Sequence, residues 1–157
     1  MISCDVEWYV ANHFNIRQNI VVPNVSWGLT GLNYEADLLV LTPRGYCTEI
    51  EIKVSKADLK ADFNKAHTHN SRLCHSLYYA FPDSMGDCIP LIPEHAGIII
   101  VIENPKCTWE RIKVVRYAKK NKNPVWSDNK RLELLRLAYM RVWTLKETLF
   151  NKRKYKS

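Results

Sequence analysis

Residues 34–54 constrain the fold of this chain more than any other stretch. Residues 34–42 form an apolar run whose only charges are Glu35 and Asp37, which predicts a strand. Pro43-Arg44-Gly45 supplies turn chemistry, because proline presets its φ and glycine tolerates the left-handed region. Residues 46–54 then alternate. Thr48, Ile50, Ile52 and Val54 fall on one face, and Cys47, Glu49, Glu51 and Lys53 on the other, the period-two pattern of a strand. Two strands joined by so short a turn pair antiparallel, and counting outward from the turn sets Asp37 level with Glu51 and Lys53. A helix follows at once. Ser55-Lys56-Ala57-Asp58 has the spacing of a capping box, with aspartate in the acidic position. Leu59, Phe63 and Ala66 are its expected apolar face, and Lys56 and Lys60 interleave with Asp58 and Asp62 on a solvated one.

The flanking segments predict an α/β fold. Residues 3–14 read as a helix capped by Ser3, with Asp5 and Glu7 at its positive end and Val6, Tyr9, Val10 and Phe14 at helical spacing. Residues 19–27 read as a strand that Pro23 assigns to an edge or a bulge. Strands are expected at 76–81, 96–102 and 111–117, the second being a continuous isoleucine-rich run suited to burial on both faces. A long helix over about 129–150 carries Leu132, Leu135, Tyr139 and Trp143 along one face, before a basic tail at 151–157. Trp109, Trp126 and Trp143 read as packing residues. No repeat or linker divides the 157 residues, so one domain is expected: a central mixed sheet flanked by helices, with an added C-terminal helix.

The chemistry-bearing group is Asp37 with Glu51 and Lys53. On a bare sheet face such charges would pair across strands for a few tenths of a kcal/mol each (about 0.2–1). A divalent-metal site is the alternative. Phosphodiester hydrolysis needs a hard cation to polarise the phosphoryl oxygen and to generate hydroxide. Mg²⁺ commonly takes one or two carboxylates and keeps water or phosphate in its other positions. Asp37 and Glu51 would supply the carboxylates and the Ile52 backbone carbonyl a third ligand. Lys53 would orient the attacking water or stabilise the phosphate, with a lowered pKa needed if it is to act as a general base.

Asp37, thirteen residues, then Glu51-Ile52-Lys53 resembles the signature of the PD-(D/E)XK, or restriction-endonuclease-like, superfamily. Glu35-Ala36-Asp37-Leu38-Leu39-Val40 followed by Glu49-Ile50-Glu51-Ile52-Lys53-Val54-Ser55-Lys56 is similar more narrowly to small bacterial and phage members, including the MmcB-type proteins associated with DNA repair. Tyr78-Tyr79-Ala80-Phe81-Pro82 and Ala96-Gly97-Ile98-Ile99 look like their continuation. The resemblance covers about residues 3–118, and Ala36 stands where the family name has proline. It implies a restriction-endonuclease-like core and a nuclease that uses Mg²⁺ or Mn²⁺. Asp37, Glu51 and Lys53 would be catalytic, with Glu7 as a further acid on the first helix. By the same resemblance the helix after the motif lies beside the site, so that Lys56, Lys65, His67 and Arg72 would meet nucleic acid. Glu49 and Glu35 share the face and rank behind Glu51.

A formal net charge of +7 favours a polyanionic partner, and the resemblance implies that this partner is nucleic acid, DNA above all. Lys119 and Lys120, in the basic stretch 116–122, are candidate DNA contacts. Five scattered cysteines without a C-x-x-C pair fit reduced thiols. His67, His69, Cys74 and His75 match no structural zinc spacing. The start of the chain lacks a signal-peptide layout, and no apolar run is long enough to span a bilayer, so a cytoplasmic protein without a membrane partner is expected. No phosphate loop, G-x-G-x-x-G or G-x-S-x-G occurs, which removes the usual nucleotide-binding and serine-hydrolase chemistry. Three functions stay open: an active nuclease, a DNA-binding or repair-accessory module with the same fold, and a basic interaction protein. A cutter of both strands is expected to form a homodimer, whereas a nickase need not.

Overall fold

The structure, a computed structural model, describes residues 1–25, 29, 31, 32, 34–63 and 73–154, without the side chains of 108 and 109. Its chain order is α1 (Ser3–His13), β1 (Ile20–Val25), β2 (Ala36–Leu41), β3 (Cys47–Ile52), α2 (Lys56–Phe63), β4 (Ser76–Pro82), β5 (Gly97–Val101), β6 (Ile112–Arg116) and α3 (Asp128–Lys154). Short 3-10 segments at Asp83–Leu91 and Thr108–Arg111 precede β5 and β6. The six strands form one mixed sheet in the order β1-β2-β3-β4-β5-β6. β3, β4 and β5 run parallel, and the outer pairings are antiparallel.

The expected hairpin forms with the expected register. Leu38 pairs with Ile50 and Leu39 with Glu49, so Asp37 comes level with Glu51. At the turn, the Gly45 amide donates to the Thr42 carbonyl at 2.9 Å. Gly45 adopts φ +83, and a Cβ there would lie 3.1 Å from the Trp126 carbonyl oxygen, which explains the glycine twice over. β1 is the edge strand that Pro23 implied.

Alternation sorts the core onto two faces. Val6 and Val10 of α1 pack with Leu38, Val40, Ile50, Ile52, Ala80, Ile99 and Val101 on one. The other face carries two separate apolar clusters. Val22, Leu39 and Leu41 meet Leu134 of α3, while Tyr79, Phe81, Ile98 and Ile100 meet Leu59 of α2. The polar face of β3 lies between them. β5 is buried at every residue, as a strand covered on both sides should be.

Gly97 makes close approach its reason for being glycine. A Cβ there would overlap the Tyr78 ring and lie 2.8 Å from the Ala118 backbone nitrogen. Gly97→Ala should therefore lower stability by about 1–3 kcal/mol through overpacking, read as a lower midpoint in urea at unchanged slope.

Three sequence expectations need correction. Ser3 is the first helical residue rather than the cap. Ile2 holds the cap position, and its amide donates to Asp5 Oδ2 at 3.0 Å. Asp62 is not on a solvated face of α2: it is 3% exposed, whereas Phe63 is 40% exposed. Asp62 lies three residues after Leu59, on the same inward stripe. On α3 the core-facing residues are Leu134, Leu137 and Ala138, and Leu132, Leu135, Tyr139 and Trp143 stand exposed. This helix has two apolar stripes, and periodicity alone does not say which one meets the sheet.

Candidate active site

The site forms where β2 and β3 part. The Lys53 amide donates to the Ala80 carbonyl at 3.0 Å, so at position 53 the backbone faces β4. Strand alternation then turns both the amide and the carbonyl of Ile52 toward β2. The paired register of β2 and β3 stops at Leu38 and Ile50, and the Ile52 amide donates to Asp37 Oδ2 at 2.8 Å. Asp37 thus occupies the opening with its carboxylate, on the side to which the Ile52 carbonyl also turns. On the other flank of Asp37, the β1–β2 register places Asn24 opposite it, and Asn24 adopts the left-handed φ +50.

Lys53 is the hub. Its Nζ lies 3.0 Å from Glu51 Oε2, 3.2 Å from Asp62 Oδ1 and 3.9 Å from Asp37 Oδ2. The Lys53, Glu51 and Asp62 side chains are almost wholly buried, whereas Asp37 retains 36% side-chain exposure and forms the mouth. Burial opposes the charged form of Lys53, but Glu51, Asp37 and Asp62 together outweigh it and hold the ammonium above the ordinary lysine range. The lowering that general-base work would need does not come from these protein groups, and the geometry suits Lys53 as a fixed cation. The Tyr79 hydroxyl donates to Asp62 at 3.4 Å, and the Tyr34 hydroxyl donates to Glu49 Oε2 at 2.6 Å. Nearness of these acids and burial raise the Tyr79 phenol well above its usual value, burial being the larger cause.

Glu7 reaches the same locality from α1. Burial raises its pKa, and the charge of Asp37 adds to the rise, which places the two carboxylates in electrostatic reach. The structure thus gathers Asp37, Glu51, Lys53 and the Ile52 carbonyl, with Glu7 nearby. It adds Asp62, which the sequence reading assigned to solvent. The signal for Asp62 was its i+3 spacing from Leu59. Glu49 is 1% exposed and held by Tyr34, and Glu35 is exposed outside β2.

The other expected contacts scatter. Lys56 opens α2 beside the site and pairs with Asp87 on the surface. Lys65, His67 and Arg72 lie outside the described residues. Lys119 pairs with Glu94 at 3.8 Å. The Asn121 amide donates to the His75 carbonyl, and the His75 amide to the Cys47 carbonyl. Lys119 and Lys120 therefore belong to the end of the sheet where β3 begins, about 20 Å of strand from Lys53. Arg116 is fully engaged in structure, donating to the Ala96, Pro93 and Ile92 carbonyls. Of the zinc candidates, His67 and His69 are outside the described residues. His75 Nδ1 accepts from the Cys47 amide at 3.1 Å, so its proton sits on Nε2 and the ring is not a ready ligand. All five cysteines are free.

Among the described residues, no three or more His, Cys, Asp or Glu side chains form a metal-holding group by themselves. The donors present are nevertheless hard oxygens, the Asp37 and Glu51 carboxylates and the Ile52 carbonyl, which is the ligand class that Mg²⁺ and Mn²⁺ prefer. No described helix is long and apolar enough to cross a membrane.

The chain matches no family profile and no curated protein. It is similar in fold to a solved structure, the SPO1766 protein of unknown function from Silicibacter pomeroyi, with a TM-score of 0.65 and 20% identity. The alignment covers 98% of this chain and 94% of that one. The likeness extends across the sheet, its helices and α3.

Proposed function

We propose that this protein is a Mg²⁺- or Mn²⁺-dependent nuclease that hydrolyses DNA phosphodiester bonds on a restriction-endonuclease-like core, in DNA repair, restriction or phage DNA metabolism. One observation carries the reading. Asp37, Glu51 and Asp62 converge on the Lys53 ammonium at 3.9, 3.0 and 3.2 Å, and of these four side chains Asp37 alone keeps substantial exposure. Carboxylates gathered at an opening beside a fixed lysine are the hard oxygen donors that a divalent cation prefers. Asp37, Glu51 and the Ile52 carbonyl would hold the divalent ion, which would supply Lewis acidity toward the scissile phosphate and a nucleophile at neutral pH.

The chain's own groups then divide the remaining work. Lys53, already protonated, donates to a phosphate oxygen or to the attacking water. Asp62 positions Lys53 from behind, with Tyr79 steadying Asp62. Glu7 adds negative charge beside Asp37 and tightens the hold on a cation. Lys56 and the net positive charge draw the phosphate backbone. Free thiols suit a reducing cytoplasm.

A DNA-binding accessory module is the second reading. It is favoured by the direct Lys53–Glu51 ion pair and by the lack of a third carboxylate ligand among the described residues. Calorimetric titration with Mn²⁺ separates the two. The nuclease reading expects saturable binding that Asp37→Asn weakens at least about tenfold, the loss typical when a metal site is disturbed. Equal heats from wild type and Asp37→Asn would remove the metal site and leave the accessory module.

A further inference from the structure

α3 is longer than the body that supports it. At 27 residues it extends about 40 Å. Its inward contacts, Leu134, Leu137 and Ala138, all lie in its first half, and Arg141 donates to the Asn24 carbonyl. From Val142 to Lys154 every residue is exposed. A free helical segment of that length is marginal in water, and this one displays Val142, Trp143, Leu145, Leu149 and Phe150.

The exposed apolar residues are ordered. Leu132, Leu135, Tyr139, Val142, Lys146 and Leu149 alternate by three and four, the spacing of a coiled-coil seam. This seam lies about a third of a turn around the helix from the stripe that meets the sheet. Nine large apolar side chains of α3 are 41–65% exposed, and all but Met140 lie on this seam or on the positions that flank it. At roughly 100 Å² each those eight offer about 800 Å², the size per partner of a standard interface.

We propose that α3 pairs antiparallel with α3 of a second copy of this chain. A self-complementary seam fits a two-fold contact, in which the same patch serves both partners. Charge sets the direction. A parallel pair would stack Lys146 on its twin and bring the two Lys152-Arg153-Lys154 ends together. An antiparallel pair centred between Tyr139 and Val142 sets Lys146 level with Leu135 and sends the basic ends apart.

The test is the mass of the full chain by sedimentation equilibrium over a hundredfold concentration range. Twice the monomer mass is expected, falling to the monomer for the double variant Val142→Glu, Leu149→Glu with its thermal melting retained at low concentration. A monomer throughout, or a dimer that the double variant leaves intact, overturns the proposal. Direction is read by disulfide trapping with Cys4 replaced by serine. Tyr139→Cys, near the two-fold centre, should cross-link to its twin and Leu149→Cys should not. Self-linking of Leu149→Cys at equal yield would overturn the antiparallel pairing. A shift to higher mass only when DNA or anionic vesicles are added would assign the seam to those partners instead and likewise overturn it.

Discussion

Lys53→Met is expected to cost about 3–5 kcal/mol of stability at pH 7, the size of effect seen when one partner of a buried ion pair is removed. Methionine fills most of the lysine volume, so the loss comes from charge rather than from a cavity. Glu51 and Asp62, 2% and 3% exposed, would then face one another without the ammonium that lies 3.0 and 3.2 Å from them in the wild type. Burial and mutual repulsion would drive both carboxyls in this variant to hold protons more tightly when folded than when unfolded. A folded state that binds the extra proton loses stability as pH rises. The variant should therefore be most stable near pH 4–5 and weaken toward neutrality. The wild type behaves differently. Its Lys53 holds a proton more tightly when folded, so that contribution is intact below the unfolded lysine value of about 10.4 and is lost only as alkaline pH rises through the folded value. Urea melts of both proteins at pH 5 and pH 7.5 check this. A deficit that is the same at both pH values would mean that Glu51 and Asp62 do not depend on Lys53.

Glu51→Gln should have the opposite signature, a large loss of the proposed cleavage activity with little loss of fold. The amide keeps the shape and leaves an oxygen for Lys53 to donate to, with Asp62 and Asp37 still beside the ammonium. Stability without metal should stay within about 1 kcal/mol of wild type, as is usual where no cavity or unpaired charge is created. Cleavage should fall by roughly 10²–10³ or more, the range for removing a group that stabilises charge in a transition state. The stabilisation by Mg²⁺ that the proposed function predicts, about 2.7 kcal/mol at a hundred times its dissociation constant, should vanish in the same variant. Melting curves with and without Mg²⁺, run beside the cleavage assay, distinguish a lost ligand from a damaged fold.

The hairpin was legible because two independent patterns agree on it. Period-two alternation in 46–54 fixes the faces, and Pro43-Arg44-Gly45 fixes the turn, so the level of Asp37 with Glu51 followed by counting. Asp62 was not legible for the same kind of reason. Its i+3 relation to Leu59 argued for burial, while its place among Lys56, Asp58 and Lys60 argued for a solvated face. Only the tertiary pairing with Lys53 decides between them. α3 shows the limit of periodicity in another form: both of its stripes are apolar, and the one chosen from sequence is the one left exposed. The separation of Lys119 and Lys120 from Lys53 depends on β6 returning antiparallel to β5, which the residues of that loop do not encode.

The most direct test of the proposed metal-dependent site is cleavage of DNA by the wild-type chain. Linear duplex, single-stranded, nicked and branched DNA would be incubated with Mg²⁺ or Mn²⁺, and in parallel with chelator. Cutting of at least one substrate that appears with metal, stops with chelator and is absent from Asp37→Asn is the expected result. DNA left whole in every metal-containing reaction, by protein that still binds DNA, would contradict it.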